Sequence, residues 1–417
     1  MKAHRSKASQ VTRQASFKRV RKHPSPLAIR KNYLPFGQPN FSAKEIDAVV
    51  KVLRSGWIGM GAETLAFEKE LAAFLDVPHV VTVNSCTSAL FLSLLMAGVG
   101  PGDEVICPSM TWCSTANAAI YLGAVPVFAD LDVETWSVTP QTIREKLTGK
   151  TKAVVIVHFG GLAVDVEAIR RVVPAGVAII EDAAHAFGSR FVNGRYVGTS
   201  GNLTCFSFYA NKNLSTGEGG AVALYDDEYA DRIRSLRQHG LPLDAWKRFT
   251  HPQILLTNEL HHLGYKMNYT DLQAVIGRAQ LSRFQEMADT RAQVVQYYVD
   301  ALGETIPRVR WQKGCTDPSH ARHLFVVQLP LAQLSGSRND VVLALRARNI
   351  GAAIHYAPLH RMPLYCGKNR PPALPFTEVL ADSALTLPIS ANMTLRDADY
   401  VVGQFMSILE GYCKREA

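Results

Sequence analysis

Between residues 79 and 185 the chain alternates short runs of β-branched and other apolar residues with segments of helical length. The short runs are typical of buried strands, and the segments between them have the composition of helices. This alternation favours an α/β fold with an open, mostly parallel sheet and helices on both faces. The predicted strands are 79–85, 104–110, 125–132, 152–161 and 177–185, and the predicted helices between them are 87–98, 114–123 and 165–173.

Two further strands are predicted on either side of Lys212. They are LTCFSFYA (203–210) and GGAVALYD (219–226), which are apolar enough to be buried in the same sheet. Lys212 therefore lies in a tight connection between two strands, where a purely solvated lysine gains nothing. We treat it as a candidate for a chemical role, with a surface lysine in a hairpin as the alternative.

The rest of the chain divides into predicted units by composition and periodicity. Helices are predicted at 42–56 and 63–75, before the sheet, and a helical stretch from about Thr270 to Leu302 follows it. A smaller C-terminal α/β domain contains 323–330, a helix near 338–349 and the segment 352–358. We predict a basic, disordered tail (1–31), a large domain (32–269), and a linking helix with a small domain (270–417).

The basic character of the chain belongs to its N-terminus. Residues 1–31 contain ten Lys and Arg and no acidic residue, whereas the whole chain of 417 residues has a net charge of +9. The remaining residues are therefore nearly neutral, which argues against nucleic acid as a partner of the folded body. The tail is expected to be a solvated extension; binding to an acidic surface and a transit peptide are the alternatives.

No apolar run reaches the length of about 18 residues that a membrane span needs. The seven cysteines are scattered and odd in number, and neither they nor the histidines show the spacing of a metal site. Such cysteine usage is typical of a reducing cytosol. We therefore expect a cytoplasmic protein without a metal.

Chemically useful side chains follow the ends of several predicted strands. Ligands of open α/β sheets bind beyond the carboxyl ends of the strands, so these side chains are expected to share one site. They offer donors for a phosphate at a helix N-terminus, a flat aromatic ring, a buried carboxylate and an amine, which together meet the needs of pyridoxal phosphate. The residues are Thr87, Ser88, Trp112, His158, Asp182, His185, Ser207 and Lys212.

From about Asn32 to the C-terminus the chain resembles the DegT/DnrJ/EryC1/StrS family of pyridoxal-phosphate-dependent aminotransferases acting on nucleotide sugars. The resemblance implies the aspartate-aminotransferase-like fold (fold type I), a large mostly parallel sheet domain plus a smaller C-terminal α/β domain. It is carried by several long motifs in the same order. They are GPGDEVICPSMTWCSTANAA (100–119), EDAAHAFGS (181–189), FSFYANKNLSTGEGG (206–220), GYKMNYTDLQAVIGRAQL (264–281) and HYAPLH (355–360).

The resemblance implies roles for individual residues. Lys212 is similar to the lysine that binds the cofactor covalently, Asp182 to the carboxylate that pairs with the pyridine nitrogen, and His185 to the residue beside the phenolic oxygen. Trp112 stands at the ring-stacking position. Phosphate-binding positions are those of Thr87, Ser88, Ser207 and, from the neighbouring subunit of a homodimer, Asn268. Substrate contacts are implied for His239, Trp246, Arg248, His355 and Tyr356.

Each of these residues also has a structural interpretation. Asp182, Thr87 and Ser88 are suitable helix caps, although a cap and a phosphate site use the same free N–H groups. His185, His355 and Tyr356 are suitable packed core residues, and Trp112 likewise. A carboxylate directly after the apolar run of 177–180 is costly unless it meets positive charge, which favours the cofactor for Asp182.

The implied reaction moves an amino group from an amino acid, glutamate by resemblance, to C4 of a nucleotide-linked keto sugar for polysaccharide, lipopolysaccharide or glycoside biosynthesis. An aminocyclitol or a 3-keto sugar as acceptor is an alternative. A different class of function is a catalytically silent scaffold of the same pathway. The loop SGWIGMGAE (55–63) departs from the family pattern, in which many relatives have Thr at the position of Gly59 or Met60.

Overall fold

A computed structural model describes residues 28–241, 260, 262–303, 308–366 and 372–414. Its largest element is a seven-stranded sheet with the strand order β1-β7-β6-β5-β4-β2-β3. All neighbouring pairs from β6 to β3 are parallel, and β7 runs antiparallel to both β1 and β6. The predicted mostly parallel sheet is confirmed. The strands are β1 His79–Val83, β2 Glu104–Pro108, β3 Val125–Ala129, β4 Thr151–Val157, β5 Ala178–Asp182, β6 Leu203–Ser207 and β7 Gly220–Leu224.

Helices cover both faces of this sheet because successive strand residues point to opposite sides. In β4, Ala153 and Val155 pack into one apolar cluster, and Val154 and Ile156 pack into another on the other face. All four side chains are fully buried. The helices that precede or connect the strands are α1 Ala43–Ser55, α2 Ala62–Leu75, α3 Cys86–Met96, α4 Ser114–Ile120, α5 Pro140–Arg144, α6 Val166–Arg170 and α7 Asp227–Leu236.

A second core lies in the C-terminal part of the chain. A three-stranded antiparallel sheet, in the order β10-β9-β8, packs with helices around Phe325 and Phe405. Leu34 belongs to the same apolar cluster, although it lies near the N-terminus. The elements are α8 Asp271–Leu281, α9 Phe284–Leu302, β8 Arg310–Trp311, β9 Phe325–Gln328, α10 Arg338–Ala347, α11 Pro363–Cys366, α12 Pro375–Ser383, β10 Ala384–Leu387 and α13 Leu395–Tyr412.

The helical stretch predicted from Thr270 to Leu302 is two helices, α8 and α9, rather than one. Arg283 leaves the helical conformation at the junction. Its guanidinium donates to Glu45 Oε1 at 2.8 Å and to the carbonyl oxygen of Asn40 at 2.6 Å. These contacts to a distant part of the chain fix the direction change, and a local sequence pattern does not reveal them.

The predicted basic tail falls mostly outside the described residues, which begin at residue 28. Within its last part, Arg30 is attached to α13: its Nη1 lies 3.0 Å from Asp397 Oδ1, and its N–H donates to the Tyr400 hydroxyl at 3.1 Å. Any truncation that is meant to leave the folded body intact should therefore end before Arg30. In the part of the chain that the structure describes, no helix is both long and apolar enough to cross a membrane.

Candidate active site

A cavity of about 450 Å³ opens at the carboxyl ends of β2, β5 and β6. This volume lies in the range of small-molecule and cofactor sites. The cavity brings together most of the residues singled out in the sequence, including side chains from the C-terminal part of the chain. Among its lining residues are Thr87, Trp112, Asp182, His185, Ser207, Lys212, His355 and Tyr356.

Lys212 lies in the turn that follows β6. The loop is held by backbone hydrogen bonds from Phe208 N to Gly219 O and from Thr216 N to Phe208 O, both 2.9 Å. Lys212 Nζ is 3.3 Å from His323 Nε2. Burial lowers the pKa of Lys212 to about 8, against the weaker opposing effects of Cys86 and Asp182. The side chain is therefore an amine that exchanges a proton near neutral pH.

Asp182 is the last residue of β5 and is only 5% exposed. Its Oδ2 accepts a hydrogen bond from Thr115 Oγ1 at 2.7 Å, and its Oδ1 accepts one from Ala184 N at 3.1 Å. Burial raises the pKa of Asp182, although both hydrogen bonds and the charge of Lys212 act in the opposite direction. No described lysine or arginine forms an ion pair with this carboxylate, so it is suited to receive a cationic ligand group.

His185 has partners at both ring nitrogens. Gly160 N donates to Nδ1 at 3.3 Å, so the hydrogen of the neutral ring belongs on Nε2, which lies 2.9 Å from the Tyr356 hydroxyl. Burial, followed by the charge of Lys212, lowers the pKa of His185 well below its ordinary value, which keeps the ring neutral. Tyr356 accepts from His185, so its own hydroxyl hydrogen is left for the cavity.

The N-terminus of α3 forms another wall of the cavity. Thr87 Oγ1 lies 2.7 Å from Ser114 Oγ, and both residues line the space. Ser88 is turned away from it: its hydroxyl donates to Asn84 Oδ1 at 2.7 Å and its N–H to Ser85 Oγ at 3.1 Å. Ser207 lines the cavity from the end of β6. Free N–H groups of a first helical turn, with hydroxyls beside them, suit an anion.

Trp112 lies at the cavity mouth, where it is 62% exposed. Its ring centroid is 6.0 Å from that of Tyr356, with the ring planes tilted by 54°. A core role for Trp112 is thus wrong. An exposed indole at the entrance offers a flat apolar face to a ligand.

The other predicted site residues do not line this cavity. His239 is exposed, in a turn with a positive φ of 63°. Asn268 is half-buried; its amide donates to the Tyr269 carbonyl at 3.3 Å. Trp246 and Arg248 lie outside the described residues.

Several residues of the site were missed in the sequence. Behind the cavity lining, Thr115 donates to Asp182 and His323 contacts Lys212, each from a segment distant along the chain. Phe36 enters the lining itself from the N-terminal segment. Asn211, next to Lys212, also lines the cavity. Its Oδ1 is buried without a hydrogen-bond partner, which is unfavourable unless a ligand supplies a donor. The sequence does contain a signal for Asn211, because it directly precedes the candidate lysine, Lys212.

The sequence pattern of the DegT/DnrJ/EryC1/StrS aminotransferase family matches residues 39–406. The chain belongs to this family. Among curated proteins it is similar to the spore coat polysaccharide biosynthesis protein SpsC of Bacillus subtilis (strain 168). The two are 40% identical over 386 residues, which cover 92% of this chain and 98% of SpsC.

Solved structures of aminotransferases have the same fold. The aminotransferase TlmJ from Streptoalloteichus hindustanus is 33% identical, with a TM-score of 0.81 over 91% of this chain and 99% of TlmJ. The PLP form of the putative sugar aminotransferase Spr1654 from Streptococcus pneumoniae is 28% identical, with a TM-score of 0.82 over 91% of this chain and 99% of Spr1654. The predicted fold type I is confirmed, and the chain is an aminotransferase that uses pyridoxal phosphate.

The residues present fit that cofactor. The unpaired buried carboxylate of Asp182, the amine of Lys212 and the orphaned Asn211 Oδ1 all border one cavity that ends at a helix N-terminus. Asp182 is complementary to a cation, Lys212 to a carbonyl group and Asn211 Oδ1 to a hydrogen-bond donor. The helix N-terminus is complementary to an anion. The roles predicted for the individual residues remain proposals, which are developed below.

Proposed function

We propose that this protein transfers an amino group from an amino acid, L-glutamate, to the C4 keto group of a nucleotide-linked sugar for polysaccharide or glycoside biosynthesis. The observation that carries the proposal is that the Lys212 amine and the Asp182 carboxylate, which has no lysine or arginine partner among the described residues, line the same cavity in a chain of this family. The name of SpsC, a polysaccharide biosynthesis protein, supports the pathway, and that of Spr1654, a putative sugar aminotransferase, supports the acceptor.

The cofactor would be held by residues from several elements. Lys212 would bind it covalently through Nζ, Asp182 would pair with its ring nitrogen, and Trp112 would cover one face of its ring. Thr87, Ser207 and the first turn of α3 would bind the phosphate; Ser88 can join them only by giving up its bond to Asn84. When bound, pyridoxal phosphate supplies an aldehyde that takes up the donor amine and a ring that disperses negative charge from the donor's α-carbon.

Lys212 would carry the proton in both half-reactions. A pKa of about 8 leaves a fraction of the amine neutral at pH 7, so Nζ can accept a proton and return it at a neighbouring atom. Asp182 would be anionic beside the cofactor and would stabilise positive charge at its ring nitrogen. The Tyr356 hydroxyl, oriented by His185, would donate to an oxygen within the cavity. The donor leaves as a 2-oxo acid before the keto sugar is aminated.

The site would be completed by a second copy of the chain. Apart from Lys212, no described lysine or arginine lines the cavity, although a phosphate and an amino acid carboxylate bring negative charge. Asn268 lies outside its own cavity and would reach the phosphate of the partner subunit. In a C2 homodimer each site would use Lys212 from one subunit and Asn268 from the other.

Complementation between variants tests this shared site. Lys212→Ala and Asn268→Asp are each expected to be inactive, the second because it sets a carboxylate beside a phosphate. A mixed dimer then has one site with both defects and one with neither. With random pairing roughly a quarter of all sites should be active. If mixed dimers are shown to form and stay inactive, Asn268 does not serve the partner.

Incubation with L-glutamate and a panel of keto sugars on UDP, GDP or dTDP, followed by mass spectrometry, tests the reaction. We expect one 4-keto sugar nucleotide to gain an amino group and an equal amount of 2-oxoglutarate to form. Amination of a 3-keto sugar or an aminocyclitol ketone instead would overturn the proposed acceptor. Failure of every acceptor in the panel to gain an amino group would contradict the proposed sugar substrate.

The proposed compartment is the cytoplasm. Cys86, Cys107, Cys113, Cys205, Cys315 and Cys413 are free thiols in the part of the chain that the structure describes, and Cys107, Cys205 and Cys315 are buried. Free thiols of this kind are compatible with a reducing compartment. Fractionation of the native cells, with the protein detected by antibody, tests this.

A further inference from the structure

We propose that His323, held by Asn213, is a positioning residue. Its Nε2 accepts a hydrogen bond from the Lys212 amine and so directs the lone pair of that amine into the cavity. His323 Nε2 is 3.3 Å from Lys212 Nζ, and the imidazole is 3% exposed. The inference rests on Lys212 being the reactive amine of the proposed function. It concerns the protein's own residues and does not depend on which sugar is aminated.

The hydrogen-bond pattern fixes which nitrogen of His323 faces the lysine. Asn213 Nδ2 donates to the Ala321 carbonyl at 2.6 Å, which turns Asn213 Oδ1 toward His323 Nδ1 at 3.3 Å. An amide oxygen only accepts, so the ring hydrogen belongs on Nδ1. Nε2 is then a lone pair, and Lys212 donates to it.

The surroundings keep His323 in this neutral form. Burial lowers the pKa of His323 well below its ordinary value, and Lys212, His185, Arg291 and His355 act in the same direction. Its ring centroid lies 4.6 Å from that of His185, which is itself neutral. A protonated His323 would place a second positive charge against Lys212, so an acceptor is the stable state.

This arrangement has a direct consequence for the amine. Once one N–H of the neutral lysine is bound by His323, the lone pair and the other N–H are left for the cavity. In the protonated form the same contact is a hydrogen bond to a charged donor, which stabilises the ammonium. His323 therefore acts with Asp182 and Cys86, which also raise the pKa of Lys212, against the effect of burial.

The test measures the pKa of Lys212 in the full-length protein without cofactor. Trace acetylation by acetic anhydride is followed against pH by peptide mass spectrometry, with the exposed Lys44 as an internal standard of reactivity. His323→Leu removes the acceptor, so we expect the midpoint for Lys212 to fall by about one pH unit. His323→Gln keeps an acceptor near the position of Nε2, so its midpoint is expected to stay close to that of the wild type.

His320→Leu is the matched control. His320 is also buried and lies on the same segment, but its ring contacts Gln312 and the backbone of Arg322 rather than Lys212. In His320→Leu the pH midpoint for acetylation of Lys212 should equal that of the wild type. A general loosening of this segment would instead shift the midpoint in both leucine variants and would contradict the proposal.

An unchanged midpoint in His323→Leu, or an equal fall in His323→Gln, overturns the role of His323. If His323→Leu does not fold, Asn213→Ala provides the test, because the ring can then turn a donor toward Lys212. We expect its midpoint to fall, and an unchanged one overturns the proposal. No cofactor or sugar enters the measurement, so failure of the substrate panel would leave this result standing.

Discussion

Replacing Asp182 by Asn tests whether the carboxylate of this residue serves cofactor binding or stabilises the fold. Asn has the same shape; its Oδ1 can accept from Ala184 N, and its Nδ2 can donate to Thr115, whose hydroxyl both donates and accepts. The substitution therefore leaves neither Thr115 nor Ala184 N without a hydrogen-bond partner. Because Asn also removes a buried charge without a counter-ion, the free energy of unfolding of the cofactor-free protein should be unchanged or higher at pH 7.

The pH dependence gives the sign of this effect. The folded-state pKa of Asp182 is raised by burial, so the folded protein holds this proton to a higher pH than the unfolded chain. The contribution of Asp182 to stability is therefore greatest below its unfolded pKa and is lost as the pH rises through its folded pKa. Asp182→Asn should lack this loss, so its advantage over the wild type should grow across that range.

With cofactor the order of stability should reverse. A hydrogen bond to a charged group contributes about 1.5–3 kcal/mol, so Asp182→Asn should bind pyridoxal phosphate roughly ten- to a hundredfold more weakly. At a fixed cofactor concentration each tenfold loss of affinity removes about 1.4 kcal/mol of the stabilisation that binding provides. The half-reaction with glutamate should slow by orders of magnitude, because the ring nitrogen loses its anionic partner.

Urea unfolding with and without pyridoxal phosphate, and a fluorescence titration of the cofactor, measure both effects. Asp165→Asn is the control, because Asp165 is an exposed cap of α6 and Asn caps helices equally well. A cofactor-free Asp182→Asn protein that is about 2 kcal/mol less stable than the wild type, with unchanged cofactor affinity, would refute the reasoning and make Asp182 a structural residue.

Four other predictions concern Lys212, Asp271 and the N-terminus. Borohydride reduction of the loaded enzyme should leave the pyridoxyl group on the peptide with Lys212; label on another lysine would exclude it. Without cofactor, the free energy of unfolding of the wild type should rise as the pH increases from about 8 to the ordinary lysine pKa, because the unfolded chain binds more protons there. Lys212→Met should lack this rise. Asp271 accepts from Gly61 N at 2.8 Å and from the N–H and hydroxyl of Thr64 at 2.9 and 2.7 Å. Asp271→Ala should therefore lower the free energy of unfolding by about 3 kcal/mol. Asp340, the exposed third residue of the α10 capping box, accepts from Ser337 N at 2.8 Å; Asp340→Ala should cost about 1 kcal/mol, and equal losses would contradict this. Deletion of residues 1–27 should leave kcat unchanged and weaken retention on an anionic surface at low salt; loss of activity would show that the segment serves catalysis.

The sequence predicted those parts of the fold and site that depend on local pattern. Alternating strands and helices led to the parallel sheet, and the rule for strand ends placed Asp182 and Lys212 at one edge. The contacts to these residues were not predictable in the same way. Thr115 is 67 positions from Asp182, and His323 is 111 positions from Lys212. Such pairs form because tertiary packing brings unrelated segments together, and a single sequence carries no local signal for them.

Leu34 has a consequence for the order in which the chain can fold. It bridges to Ile350, and its amide donates to the Asn349 carbonyl at 2.9 Å, while its side chain packs in the C-terminal core. During synthesis at about 5–20 residues per second, this partner emerges tens of seconds after Leu34 itself. The N-terminal segment around Leu34 therefore stays without its partner while most of the large sheet is already synthesised. In ribosome-bound chains that stop before residue 350, this N-terminal segment should be accessible to proteases.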